Sequence, residues 1–70
     1  MNRRERSFET NFGTCVVYES FDCEVGSFLD CYSVDAEGER EHIGEIVNMD
    51  FDESTDEELA KVAEELYNER

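Results

Sequence analysis

The sequence predicts an α+β fold, in which a small three-stranded antiparallel β-meander is followed by one C-terminal α-helix packed on it (β-β-β-α). Three observations predict this class. Three runs are rich in β-branched and aromatic residues, the segments between them are short and contain glycine, and the C-terminal segment repeats apolar residues with helical spacing. With 70 residues and a 39% apolar share, the chain makes one small domain with a barely sufficient core.

The three strands are expected at residues 14–21, 27–34 and 42–49, where Val, Ile, Tyr, Phe and Thr are frequent. Residues 22–26 and 35–40 connect them, and each connection carries acids and a glycine that can adopt a positive φ. In the third strand, a period of two places Ile43, Val47 and Met49 on one face. Short connections of this kind favour strands that pair in sequence order.

The C-terminal helix has a defined start. Ser54 and Thr55 can each act as the N-cap, with Glu57 and Glu58 three residues on, so two overlapping capping boxes are possible. A single apolar stripe then follows at helical spacing: Leu59, Val62, Ala63, Leu66 and Tyr67. This stripe predicts that one side of the helix covers one face of the sheet.

The charge balance excludes several classes of partner. Twenty Asp and Glu stand against six Lys and Arg, for a formal net charge of −14. Repulsion therefore opposes direct binding to DNA, RNA or an anionic membrane, and the expected partners are basic. The sequence has no apolar run long enough to span a bilayer and no secretory signal pattern, so we expect a soluble cytoplasmic protein.

The first seven residues differ from the rest. Residues 1–7 are expected to form a polar basic arm that holds Arg3, Arg4 and Arg6, and residues 8–70 a single acidic domain. The arm is either frayed or folded back onto that acidic domain, and the sequence leaves both alternatives open.

The cysteines indicate a reducing compartment. Cys15, Cys23 and Cys31 are odd in number, so we expect free thiols rather than a disulfide framework. Together with His42 they match no familiar zinc spacing, and Cys15 and Cys31 lie in apolar runs typical of core positions. We therefore expect no metal and no cofactor.

Residues 50–61 invite comparison with an EF-hand calcium loop. Acidic or hydroxyl residues fill its first, third, fifth and seventh positions, but the sixth is Thr55 instead of Gly and the twelfth is Lys61 instead of Glu. A cation at the closing position repels calcium, so the segment is interpreted as a loop that leads into the helix.

No pattern supports catalysis. Among the carboxylates, Asp30 and Glu45 have apolar neighbours in sequence, yet in a one-layer sheet we expect them to face solvent. His42 has no nucleophile beside it in the sequence and is interpreted as a surface residue. The chain is therefore not expected to be an enzyme.

The acids are concentrated in the second half of the chain. In residues 35–41 they alternate strictly, and in extended chain such carboxylates lie roughly 6.5–7 Å apart, a spacing similar to that of backbone phosphates. The residues predicted to bind a basic partner are Asp35, Glu37, Glu39, Glu41, Glu45, Asp50, Asp52, Glu53, Asp56, Glu57 and Glu58.

These features resemble the small acidic inhibitors that bacteriophages make, in particular the anti-CRISPR proteins that mimic DNA. The resemblance rests on size, on the acidic segments 35–41 and 50–58, and on a strand meander closed by an acidic helix. The stretch Glu53-Ser54-Thr55-Asp56-Glu57 is also similar to uracil-DNA glycosylase inhibitor, another DNA mimic. The resemblance implies an inhibitor in the host cytoplasm that blocks the DNA-binding surface of a CRISPR effector. The sequence does not identify the oligomeric state, and a monomer is the expectation.

Two alternatives stay open. The first is an acidic adaptor or antitoxin-like module that binds a basic protein through an apolar anchor such as Phe51 or Tyr18, with acids at the rim. The second is a halophilic or otherwise solubility-driven domain whose acids serve only to keep it in solution.

Overall fold

A computed structural model describes residues 4–69 as one antiparallel sheet with one helix on it. The elements, in chain order, are β1 (Glu5–Thr10), β2 (Gly13–Asp22), β3 (Gly26–Val34), β4 (Arg40–Ile46) and α1 (Asp56–Asn68). Neighbours in sequence are neighbours in the sheet, whose order is β1-β2-β3-β4. The α+β class, the meander and the single C-terminal helix are confirmed, but the prediction of three strands was wrong because β1 precedes them.

β1 is a polar edge strand with one side chain in the core. Phe8 is buried, whereas Glu5, Ser7 and Glu9 are exposed. A strand with so few apolar residues gives almost no signal of its own, and pairing with β2 forms it. Residues 5–7 of the predicted arm are therefore strand residues, and residues 1–3 lie outside the described part of the chain.

The core lies between one face of the sheet and the helix. Strand alternation brings Cys15 and Val17 of β2 beside Leu29 and Cys31 of β3 on that face. The cluster is completed by Phe8, Ile43, Ile46, Leu59 and Ala63. Cys15 and Cys31 are buried free thiols, as expected, and Cys23 is an exposed free thiol.

β4 is shorter than predicted and contains a bulge. The pairing register with β3 shifts between Cys31 and Tyr32, and Ile43 is the extra residue on β4. At Gly44 the helix comes so close that an added Cβ would lie 3.0 Å from a methyl carbon of Leu66. The strand ends at Ile46, and Val47 is 48% exposed, so the expected common face of Ile43, Val47 and Met49 is not formed.

The helix begins after Thr55 and not after Ser54. The Glu58 amide donates to Thr55 Oγ1 at 3.2 Å, and the Thr55 amide donates to Glu58 Oε1 at 2.9 Å, which completes one of the two predicted capping boxes. Leu59 and Ala63 are fully buried. Within residues 4–69, no helix is long and apolar enough to cross a membrane.

Candidate protein-binding surface

The acids predicted to bind a partner lie at two opposite ends of the sheet. The β3–β4 turn, residues 35–39, follows Val34, which pairs with Thr14 near the start of β2. The loop after β4, residues 47–55, follows Ile46, which pairs with Leu29 near the other end of the sheet. The two acidic segments therefore do not form one compact patch.

The first segment is a turn and not an extended row. Asp35 Oδ1 accepts hydrogen bonds from the amides of Glu37 and Glu39, both at 2.9 Å, and the Gly38 amide donates to the Asp35 carbonyl at 3.0 Å. β4 starts only at Arg40. The expected phosphate-like spacing over residues 35–41 is therefore wrong for residues 35–39, because Asp35 closes a turn there.

The second acidic segment, residues 50–58, also begins with an aspartate that closes a turn. Asp50 Oδ1 accepts from the amides of Asp52 and Glu53, both at 2.8 Å. These two backbone donors hold the pKa of Asp50 below its usual value, because they stabilise the charged carboxylate. The Asp50 carboxylate thus stabilises the conformation of the loop that contains it.

Two arginines of the N-terminal segment bind this loop. Arg6 Nη1 donates to the carbonyl oxygens of Phe51 at 3.0 Å and Ser54 at 2.6 Å, and Arg6 Nη2 lies 2.7 Å from Asp56 Oδ1. Through these bonds Arg6 joins two residues of the loop and the first residue of α1 to β1. Its side chain is only 26% exposed, so these charged bonds are partly shielded from water.

Arg4 forms a second bridge. Its guanidinium pairs with Glu19 at 2.7 Å and with Asp52 at 2.9 Å, and it lies 4.7 Å from the centre of the Phe51 ring. The hydrogen bond from the Arg4 guanidinium lowers the pKa of Glu19, because it stabilises the charged carboxylate. Of the two alternatives for the basic arm, the fold-back onto the acidic domain is the one seen for Arg4 and Arg6.

This arrangement leaves the loop unsuited to calcium. Arg4 binds the carboxylate of Asp52, which stands at the third position of the loop, and Arg6 binds the carboxylate of Asp56 and the carbonyls of Phe51 and Ser54, so guanidinium groups lie where an EF-hand would hold its ion. Over residues 4–69, no three His, Cys, Asp or Glu side chains are grouped so that they could hold a metal ion.

The predicted acids therefore divide by role. Five use their carboxylates for the bonds just described, as turn caps, as arginine partners or in the helix cap: Asp35, Asp50, Asp52, Asp56 and Glu58. Four exposed acids follow the outer edge of the sheet from the β3–β4 turn along β4, and we call them the β4 acidic edge: Glu37, Glu39, Glu41 and Glu45. Glu53 and Glu57 are exposed near the start of the helix.

The face of the sheet opposite the helix carries an aromatic cluster that sequence reasoning missed. Tyr18, Tyr32 and His42 come from three neighbouring strands and meet edge-to-face, with ring centres 5.4 and 5.0 Å apart. Arg40 lies 5.5 Å from the centre of the Tyr18 ring and pairs with Glu5 at 3.1 Å. These side chains share a face because of the pairing register of β2, β3 and β4, and this register could not be predicted from the sequence.

Asp30 lies in the same cluster and is more covered than predicted. Its side chain is 17% exposed, Ser20 Oγ donates to it at 2.8 Å, and His42 Nε2 lies 3.5 Å away. The Asp30 carboxylate thus joins Ser20 and His42 in one polar group beside the aromatic rings. Glu45 is exposed as expected, and His42 is a surface histidine with a 45% exposed side chain.

Comparison of the chain with protein-family models, with curated proteins and with solved structures found no match.

Proposed function

We propose that this protein is an inhibitor that mimics the DNA backbone and occupies the cationic DNA-binding surface of another protein. The observation that carries the proposal is the β4 acidic edge, where two exposed acids in the β3–β4 turn, Glu37 and Glu39, are followed by two in the edge strand, Glu41 and Glu45. A CRISPR effector is the class of target that the resemblance to anti-CRISPR proteins indicates.

The physical basis is electrostatic exchange. Carboxylates of the edge take the place of phosphates on Lys and Arg of the partner, as charge-assisted hydrogen bonds that are bidentate where Arg is the donor. β4 has seven residues and spans about 23 Å, enough to reach several neighbouring phosphate positions. Because β4 is paired along its other side with β3, the edge loses little conformational freedom on binding.

The β4 acidic edge is a better candidate than the loop at residues 50–56. Arg4 and Arg6 bind the carboxylates of Asp52 and Asp56, and this proximity of positive charge weakens the attraction of the loop for another cation. Of the edge acids, Glu37 and Glu39 lie at the opposite end of the sheet from this loop, and Glu45 lies on the outer strand β4.

The adaptor alternative would need an anchor that projects from the surface. Phe51 and Tyr18, the two rings suggested by the sequence, are both half-buried and covered by Arg4 and Arg40 respectively. An adaptor that anchors through Phe51 or Tyr18 is therefore disfavoured.

The test is capture of a bacterial nucleic-acid-binding complex on the tagged protein, with and without excess duplex DNA. The matched variants are Glu39→Lys/Glu45→Lys on the edge and Glu65→Lys/Glu69→Lys on the helix. Each pair raises the formal net charge by four. We expect DNA to displace the complex, and we expect the edge pair to weaken capture roughly tenfold or more and to reduce its salt dependence.

The helix pair should leave capture nearly unchanged. If DNA does not displace the captured complex, mimicry is wrong and the adaptor alternative takes its place. If both pairs weaken capture equally, the interaction reflects total charge and the β4 acidic edge is not the binding surface.

A further inference from the structure

The end of the β2–β3 hairpin extends beyond its neighbours in the described part of the sheet. β1 begins at Glu5, opposite Tyr18 of β2, and β4 ends at Ile46, opposite Leu29 of β3. β2 and β3 continue to pair past these points as far as Asp22 and Gly26. We call residues 21–26 the hairpin tip.

Exposed apolar side chains gather at this end of the molecule. Phe21 is 74% exposed and Val25 is 61% exposed, and Val47, which follows the last residue of β4, is 48% exposed. Tyr67, the other large apolar side chain that is exposed among residues 4–69, lies at the opposite end, where its ring stacks on Phe12 at 4.0 Å. Single exposed apolar residues are ordinary, but two on one projecting turn, Phe21 and Val25, indicate an interaction surface.

The hairpin tip is ordered by its own hydrogen bonds. Asp22 Oδ1 accepts from the amides of Glu24 at 2.8 Å and Val25 at 3.3 Å, and Gly26 takes a φ of +91° that closes the turn. Phe21 and Val25 are therefore presented from a defined backbone, which lowers the entropic cost of inserting them into a partner.

We propose that the hairpin tip inserts Phe21 and Val25 into an apolar pocket on a protein partner whose rim carries Lys or Arg. Charge complementarity identifies this occupant. Asp22 and the exposed Glu24 lie between the two apolar residues in the sequence, so the tip combines an apolar anchor with negative charge. The same acids repel an anionic lipid surface, a nucleic acid and the tip of a second copy.

This inference rests on the proposed function for the cationic character of the partner, and it adds the source of selectivity. A row of carboxylates is attracted to any groove that binds nucleic acid, whereas an apolar anchor fits only a protein with a matching pocket. Burial of Phe21 at such a pocket is expected to strengthen binding roughly tenfold or more, with no dependence on salt.

The test uses benzyltrimethylammonium as a probe that combines an aromatic ring with a cation. The full-length protein, labelled with ¹⁵N, is titrated with this probe and, in parallel, with tetramethylammonium, and amide shifts are compared at equal concentration. We expect the additional shifts caused by the benzyl group to concentrate at residues 21–26. The variant Phe21→Ser/Val25→Ser should lose them, and Tyr67→Ser, the control at the opposite end, should keep them.

Several results would overturn the inference. The inference is wrong if the additional amide shifts caused by the benzyl group are largest outside residues 21–26, or if they persist in Phe21→Ser/Val25→Ser. It is also wrong if the amide shifts of residues 21–26 depend on protein concentration before any probe is added, because a second copy of the chain would then be the occupant. The thermal transition of each variant, measured alongside, shows that it is folded. Since the probe is independent of DNA, failure of DNA to displace the captured complex would reject mimicry without affecting this result.

Discussion

The two acidic segments, residues 35–41 and residues 50–58, look alike in sequence and behave differently in the fold. Each begins with an aspartate that accepts two backbone amides and closes a turn. In the second segment Arg6 and Arg4 then bind carbonyls and carboxylates of the loop, whereas Glu37 and Glu39 of the first extend into solvent. Net charge therefore overstates the number of carboxylates available to a partner, because some of them close turns, cap the helix or form ion pairs within the protein.

The largest expected effect is on the attachment of the second segment. Replacing Arg6 by Met removes two hydrogen bonds to loop carbonyls and the ion pair with Asp56, from a side chain that is mostly shielded from water. We expect Arg6→Met to lower the free energy of unfolding by about 2–3 kcal/mol, measured by urea denaturation.

Arg40→Met is the matched control for this variant. Arg40 pairs with Glu5 on the exposed face of the sheet, with 45% of its side chain exposed, so we expect a loss below about 1 kcal/mol. Equal losses in the two variants would contradict a special role of Arg6 in holding the loop.

The next effect concerns the end of the second segment, where the helix begins. Thr55→Ala removes the side-chain acceptor for the Glu58 amide and should cost about 1 kcal/mol in the free energy of unfolding. Ser54 contributes a backbone carbonyl to Arg6, so Ser54→Ala should change stability by less than about 0.5 kcal/mol. The reverse order of losses would show that the helix starts one residue earlier.

The sequence predicted the helix and the core of the meander well because their signals are local. The capping box and the apolar stripe of α1 lie within a few turns of one another, and the apolar runs of β2 and β3 are dense. β1 was missed because only Phe8 of its six residues is buried, and its formation depends on pairing with β2. The β4 bulge also lacked a signal, since a period of two assumes an uninterrupted strand.

The candidate site was harder to predict because its bonds connect distant parts of the chain. The pairing of Arg6 with Asp56 and of Arg4 with Asp52 joins residues nearly fifty positions apart, which no spacing rule indicates. The turn-closing role of Asp35 was available from the sequence, because an aspartate shortly before a glycine is typical of such turns. Residues 35–40 were accordingly predicted to connect two strands, but the alternation of acids in residues 35–41 was interpreted as an extended row, which the turn excludes for residues 35–39.

A smaller effect is expected in the pH dependence of stability. In the folded protein the pKa of Glu58 is lowered by the Thr55 backbone amide, and those of Glu19 and Asp50 are lowered by Arg4 and by backbone amides respectively. A carboxyl with a depressed folded pKa stabilises the fold above its unfolded pKa, and this contribution is lost as pH falls through the folded value. These three groups should therefore lose their contribution as pH decreases below about 4.5.

The measurement is the change in urea midpoint between pH 6 and pH 3 for Glu58→Gln and for the control Glu57→Gln. Protonation of other acids relieves repulsion in every variant, and the control removes the same charge one residue away, so this shared effect cancels in the comparison. Glu58→Gln should lose less stability than Glu57→Gln on acidification. Identical pH dependence in both would mean that the Glu58 carboxylate does not stabilise the helix cap.

The smallest effect is expected where the carboxylates extend into solvent. Glu37→Gln/Glu39→Gln removes two charges from the first segment but leaves the Asp35 carboxylate and the backbone bonds of the turn in place. Self-repulsion in a chain of net charge −14 should then decrease, so the urea midpoint at low salt should rise slightly. The gain should fade near 0.5 M salt, because charges separated by more than a Debye length of about 4 Å are then largely screened. A midpoint that falls instead would mean that Glu37 and Glu39 stabilise the fold as Asp52 and Asp56 do. The two acidic segments would then be equivalent, and the β4 acidic edge would lose its distinction as the part of the charge reserved for a partner.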